Sequence, residues 1–249
     1  MKIQEIQAKN ILSQSRVYDW TINPYLGCQH GCLYCYARFM KRFSGHKENW
    51  GEFVDVKINA PKLLAQEIKT KKIGRVWISG VCDPYQPIEE KYELTKKCLE
   101  ILQENNWPVI IQTKSPLVLR DVELLKRFRE IEVGFTITTV DEEIRKIFEP
   151  KTFSIEKRIE TLEKLHQEGI KTYAMIAPLL PKAEDLVSKL AGKIDYAIID
   201  KMNYHYADWV YRKYKLEKTR EKDFFIRKGD ELVNRFNEER IPCQVLIQD

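Results

Sequence analysis

At 249 residues, 43% hydrophobic and 32% charged, the chain carries enough apolar side chains for one large core and too many for a disordered or fibrous polypeptide. It has no apolar run of the roughly 18 residues that a membrane helix needs, and its start, Met1-Lys2-Ile3-Gln4-Glu5, lacks the apolar segment of a secretion signal, so a cytoplasmic protein with reduced thiols is expected. A net charge of +5 leans only mildly towards an anionic partner, and abundant Lys and Glu beside 10 glycines fit a thermophile's composition.

Residues 1–15 carry no strong pattern and read as a strand or arm leading in. Arg16 to Ile22 alternates and is rich in β-formers, which predicts a strand. Asn23-Pro24 breaks it, and the cysteine-bearing stretch Cys28 to Cys35 follows. Tyr34 to Phe43 predicts a helix, Ser44 to Asn59 an irregular polar crossing, and Pro61 to Lys71 an amphipathic helix with proline at its start. The apolar runs Arg75–Ser79, Val109–Thr113, Val133–Thr138, Lys171–Ile176 and Asp195–Ile199 read as strands. Helical patterns at Leu94–Asn105, from Asp121 to about Arg129, from Asp141, from Ser154 to Gly169 and at Ala183–Leu190 separate them, with Asp121 and Ser154 as caps. A charged stretch Leu216–Lys228, a helix Asp230–Arg240 and a short strand Gln244–Ile247 close the chain.

Strands alternating with helices imply βα units on a parallel sheet. Six in a row, right-handed by rule, make a partial (β/α)6 TIM-like barrel of α/β class. No repeat or linker divides it, so one domain is expected, with a core over about residues 16–200 and a C-terminal helical extension over about 201–249. In such barrels ligand groups come from the carboxyl ends of the strands. The cysteine loop, Ser79-Gly80-Val81-Cys82-Asp83, Thr113-Lys114-Ser115, Thr138-Thr139 and Ala177-Pro178 all fall there. Each alone is consistent with an ordinary turn; their concentration on one rim argues for a site.

The cysteines Cys28, Cys32 and Cys35 are spaced C-x3-C-x2-C and followed by Tyr36. Three thiolates on one loop can hold three corners of a cubic [4Fe–4S] cluster, which normally takes four cysteines. The fourth iron is then open to a small molecule. A zinc site would need a fourth donor, for which His30 or Cys82 is available, but no second C-x2-C pair exists. Cys98 and Cys243 read as small core residues.

The stretch Cys28 to Tyr36 resembles the signature of radical S-adenosylmethionine enzymes. The run NPYLGCQHGCLYCYAR (Asn23 to Arg38) is similar to their spore photoproduct lyase-like branch. So are SGVCDPYQPIE (Ser79 to Glu89), QTKSPLVLRD (Gln112 to Asp121), TITTVDEEIRKIFEP (Thr136 to Pro150) and APLLP (Ala177 to Pro181). The resemblance implies a cluster on Cys28, Cys32 and Cys35 whose open iron chelates the amino and carboxylate groups of S-adenosylmethionine. Reductive cleavage would then give a 5′-deoxyadenosyl radical that abstracts hydrogen from a substrate. It also implies Tyr36 near the adenine, Ser79 and Gly80 at the cofactor's amino group with Asp83 assisting, and Thr138 at the ribose. Lys114 or Arg145 would pair with the carboxylate. The usual glycine-glycine-glutamate form of the strand-two motif is absent. A hydrogen-donating cysteine in the same loop aligns one position before Cys82, which makes Cys82 a displaced candidate for that role.

Two substrate readings follow. Tyr204, Tyr206, Trp209, Tyr211, Tyr214, Phe224 and Phe225 interleave with Arg212, Lys213, Lys215, Lys218, Arg220, Lys222, Arg227 and Lys228, the pairing of stacking rings and cations that DNA or RNA requires. Glu217, Glu221 and Asp223 intervene, and the rings could instead pack the open side of the barrel. The second reading is a radical enzyme acting on a small molecule or peptide. A non-catalytic iron–sulfur electron carrier is a third class, and the barrel pattern argues against it. A ferredoxin- or flavodoxin-type electron donor, no membrane and a monomer are expected.

Overall fold

The computed structural model describes residues 1–246; Ile247, the expected end of the last strand, lies outside them. The chain sorts into two compact units, Met1–Gly31 with Ala37–Val133, and Cys32–Tyr36 with Gly134 onward.

In the first unit, β1 (Lys2–Ile6) runs parallel to β5 (Phe53–Lys57), and β4 (Tyr25–Leu26) pairs antiparallel on β5's other side. A second set has the order β2-β3-β6-β7: β2 (Leu12–Gln14), β3 (Trp20–Ile22), β6 (Val76–Ile78) and β7 (Val109–Thr113). The β2–β3 pair is antiparallel and the others parallel. The helices are α1 (Ala60–Glu67), α2 (Glu89–Tyr92), α3 (Leu94–Glu104) and α4 (Val122–Leu125), with 3₁₀ turns at Tyr36–Phe43 and Pro116–Asp121. Register pairs Ile22 with Ile78 and Ile78 with Ile111. The strands β3 and β6 therefore end together while β7 runs on to Thr113, and Asn23 and Ser79 emerge at one edge.

The strand β8 (Ile131–Thr136) carries the division between the units. The second unit continues with α5 (Glu142–Phe148), α6 (Ile155–Gln167), β9 (Lys171–Ile176), α7 (Leu186–Leu190), β10 (Tyr196–Ile199), α8 (Asp208–Lys213), α9 (Lys222–Glu238) and β11 (Cys243–Val245). Its strand order is β8-β9-β10-β11, with β9, β10 and β11 parallel. Gly134 is obligatory in β8: a Cβ there would lie 2.1 Å from the Tyr173 ring. Asp141 caps α5 by accepting from Glu143 and Ile144 N–H groups, and Ser154 caps α6 through Lys157 N–H.

Several boundaries differ from expectation. The strand from Arg16 shrinks to Trp20–Ile22, because the Ser15 hydroxyl accepts from Val17 and Tyr18 N–H groups and turns the chain into a β2–β3 hairpin. The crossing at 44–59 contains β5, four of whose five residues are buried. The segment expected as a helix at Tyr34–Phe43 is a 3₁₀ turn starting at Tyr36. Asp121 caps nothing with its side chain; Ser115 caps the preceding 3₁₀ turn, while Asp121 accepts from Arg120. The last helix starts at Lys222, eight positions before Asp230, because Phe224, Phe225, Leu232 and Phe236 give it a buried stripe.

Candidate active site

In the first unit the strand ends are laced together by buried polar groups. Asp83 is 8% exposed. It accepts from Thr113 Oγ1 at 2.7 Å, Lys114 N at 2.8 Å and Tyr85 N at 2.9 Å, and its Oδ2 lies 3.2 Å from His30 Nε2. Burial alone would push this carboxyl up; His30 and the Thr113 hydroxyl override it and hold the group at about 2. Asp83 thus ties the end of β6 to the end of β7. Gln86, fully buried, donates to Gly27 O at 3.2 Å and accepts from Gln29 N at 2.9 Å. This pins the first half of the cysteine loop. Ser79 adopts a left-handed φ of 65° and donates its N–H to Ile22 O at 2.8 Å. Asn23 Oδ1 accepts from Val81 N at 3.0 Å.

Cys82 donates to Tyr25 O at 3.5 Å and packs against Tyr25, Val54, Val56, Ile88 and Leu94. Burial pushes its thiol up to about 12, so it is a neutral S–H at physiological pH. Behind it, the fully buried Glu89 accepts from Tyr25 OH, Thr95 N and Lys96 N and pairs with Arg120 at 2.9 Å.

In the second unit the other half of the loop is anchored. Leu33 N donates to Phe148 O at 2.9 Å, Cys35 N to Cys32 O at 3.2 Å, and Tyr34 OH to Glu149 Oε1. Glu149 also accepts from Thr138 Oγ1 at 3.3 Å and pairs with Arg158 at 2.6 Å. Arg145 sends Nε to Glu142 Oε2 at 2.8 Å and Nη1 to the Glu149 and Thr152 carbonyls at 3.2 Å each. Thr138 and Arg145 are therefore drawn to one glutamate that sequence reasoning passed over, as it did Tyr34, Gln29, Gln86 and Arg158. Their one visible signal was position inside the quoted motifs or the following helix. Tyr36, 37% exposed, stacks on Tyr204 with centroids 6.1 Å apart, and Tyr204 stacks on Tyr206 at 5.9 Å.

The donor set fits an iron–sulfur cluster. All six cysteines are thiols; Cys28 and Cys32 are buried and Cys35 is half-buried. Among the described residues no three His, Cys, Asp or Glu side chains close on a single ion.

The Radical SAM superfamily model matches residues 22–187. The chain belongs to that superfamily. An uncharacterised protein of Methanocaldococcus jannaschii is 41% identical over 189 residues, 75% of this chain and 71% of the relative. A radical SAM Nalpha-GlyT isomerase of Pseudomonas phage M6 is 24% identical over 160 residues, 64% of this chain and 32% of the isomerase. The structure of spore photoproduct lyase complexed with dinucleoside spore photoproduct superposes with a TM-score of 0.73 at 16% identity, over 98% of this chain and 81% of that one. The fold is thus the radical SAM fold, of α/β class with mostly parallel strands. As a radical SAM protein the chain is an enzyme whose cofactors are a [4Fe–4S] cluster and S-adenosylmethionine. No helix among the described residues is long and apolar enough to cross a membrane.

Proposed function

We propose that Cys28, Cys32 and Cys35 hold the cluster, that its open iron takes S-adenosylmethionine, and that the substrate is a base within DNA or RNA. Cys28, Cys32 and Cys35 would hold the cluster, which with S-adenosylmethionine would supply one-electron reductive chemistry: cleavage of a sulfonium C–S bond with release of methionine, and hydrogen abstraction from the substrate. The chain's own residues position and shield. Ser79 and Gly80 sit at the strand edge suited to the cofactor's amino group, with Asp83 holding that loop in place. Tyr36 offers a ring face to the adenine, and Thr138 a hydroxyl to the ribose. The cations placed to pair with the carboxylate are Lys114 and Arg145, the latter with its guanidinium directed to Glu142 and to the Glu149 and Thr152 carbonyls.

The substrate class rests on one observation, the stacked Tyr36–Tyr204–Tyr206 series. Tyr204, Trp209 and Tyr214 are 46%, 46% and 43% exposed, whereas Tyr211, Phe224 and Phe225 are buried. The exposed subset can stack bases; the buried subset packs the core. Spore photoproduct lyase, whose structure holds a dinucleoside photoproduct, supports the same reading. Cys82 carries its hydrogen as a neutral thiol, the state a hydrogen-atom donor needs, and would have to turn from the Tyr25 cluster to act. The reductant is a ferredoxin- or flavodoxin-type protein. The segment from Tyr36 to Lys47, with Arg38, Lys41 and Arg42 and no acidic residue, suits an acidic donor.

Anaerobic reconstitution should give about four irons per chain, and adding dithionite and S-adenosylmethionine should release methionine and 5′-deoxyadenosine; alanine at Cys28, Cys32 or Cys35 should abolish both. Single-stranded DNA or RNA should bind with an affinity that falls steeply with salt. Absence of binding at low salt would move the substrate to a small molecule or peptide.

A further inference from the structure

We propose that the Glu149 carboxylate, held by Arg158, is the positioning group that fixes the Cys32–Cys35 span of the cluster loop. The inference deepens the cofactor reading above and rests on it. Only two residues, Leu33 and Tyr34, lie between these cysteines, and each is tied to the C-terminal end of α5. Leu33 uses its main chain, bonding Phe148 O at 2.9 Å; Tyr34 uses its hydroxyl, bonding Glu149 Oε1. With both tied, the span cannot open without breaking one of these bonds.

Glu149 and Arg158 have fully buried side chains. A buried ion pair contributes little net stability relative to apolar residues of the same volume. Its stability alone therefore does not account for placing two charges here. The surroundings instead define the carboxylate's orientation. Arg158 Nη2 and Thr152 Oγ1 hold Oε2, at 2.6 and 3.4 Å, and this leaves Oε1 for Tyr34 and Thr138. Arg158 is itself fixed by the Thr136 and Phe153 carbonyls, each at 3.0 Å. The chain of contacts thus runs from the end of β8, through Arg158 and Glu149, to the residue beside Cys35. Groups behind metal ligands set ligand geometry and metal retention.

Two variants of the full-length chain test this. Tyr34→Phe removes only the hydroxyl and keeps the ion pair; Glu149→Gln removes the charge. In the metal-free protein, alkylation rates resolved by peptide mass spectrometry should rise several-fold at Cys32 and Cys35 and stay unchanged at Cys28. In the anaerobically reconstituted protein, iron should pass to a ferrous chelator about tenfold faster. Wild-type rates at Cys32 and Cys35 would overturn the proposal, and so would an equal rise at all three cysteines, which reports general loosening. If Glu149→Gln does not fold, Tyr34→Phe decides alone. The metal-free measurement stands even if the chain proves to take no cluster, so the two readings fail separately.

Discussion

His30 and Asp83 meet at 3.2 Å in the interior of the first unit, the histidine 1% and the aspartate 8% exposed. The carboxylate is thereby stabilised in its charged form. Its folded pKa of about 2 lies below the ordinary 3.8, so its contribution is full above about pH 4 and is lost as pH falls towards 2. The shift corresponds to about 2 kcal/mol at neutral pH. Asp83→Asn should show that deficit in urea unfolding at pH 7, and the gap to the unsubstituted chain should close by about pH 2. A gap constant with pH would assign the loss to shape rather than charge.

Gly27 has φ of +93°, and a Cβ there would lie 2.4 Å from Phe53 O. Backbone oxygen cannot yield as a flexible side chain can. Gly27→Ala combines this clash with left-handed strain of roughly 1–3 kcal/mol. The variant should melt lower and retain less iron after reconstitution. Gly169→Ala is the control: its φ is +78°, but open space surrounds it, so it should lose stability while keeping iron.

The Cys82 thiol, pushed up to about 12 by burial, should resist iodoacetamide at pH 8, where roughly one molecule in ten thousand carries the thiolate. Its labelling rate should climb about tenfold per pH unit up to that value. A raised thiol pKa also means that stability is lost as pH rises from about 9 towards 12. Cys82→Ala should leave 5′-deoxyadenosine release intact, and with the true substrate it should change the product if the thiol returns hydrogen.

The aromatic residues of the C-terminal region should divide by burial. Tyr211 is 1% exposed, and among the described residues its buried hydroxyl has no hydrogen-bond partner. Tyr211→Phe should therefore be neutral or stabilising, whereas Tyr211→Ala should lose about 3–5 kcal/mol. Tyr204→Ala should barely change the melting temperature yet weaken single-strand binding by about 1–3 kcal/mol per stacked base. Undiminished binding would remove the stacked tyrosines from the substrate surface.

Much of the α/β pattern was legible because its strands are short apolar runs: Val109–Thr113 and Lys171–Ile176 match the structure end to end. Phe53–Lys57 was not. Asp55 interrupts its apolar pattern, and this residue is tolerated in a buried strand because His46 Nε2 meets it at 2.7 Å, a partner nine residues away. The cysteine spacing was legible because it is local chemistry. The Glu149–Arg158 pair was not, since charged residues on a helical pattern read as solvated surface until tertiary contacts bury them. That a polar turn follows each strand was legible; which neighbours Asp83 binds was not, because Thr113, Lys114 and His30 lie thirty or more positions away in the chain.

The bond from Leu33 N to Phe148 O joins two main chains. It is blind to what either side chain is, so both positions can drift among many amino acids while the tie persists. Proline alone is barred at 33, since it has no hydrogen to give. This part of the loop is therefore written in the backbone rather than in the amino-acid alphabet, and tallying letters across relatives would overlook it.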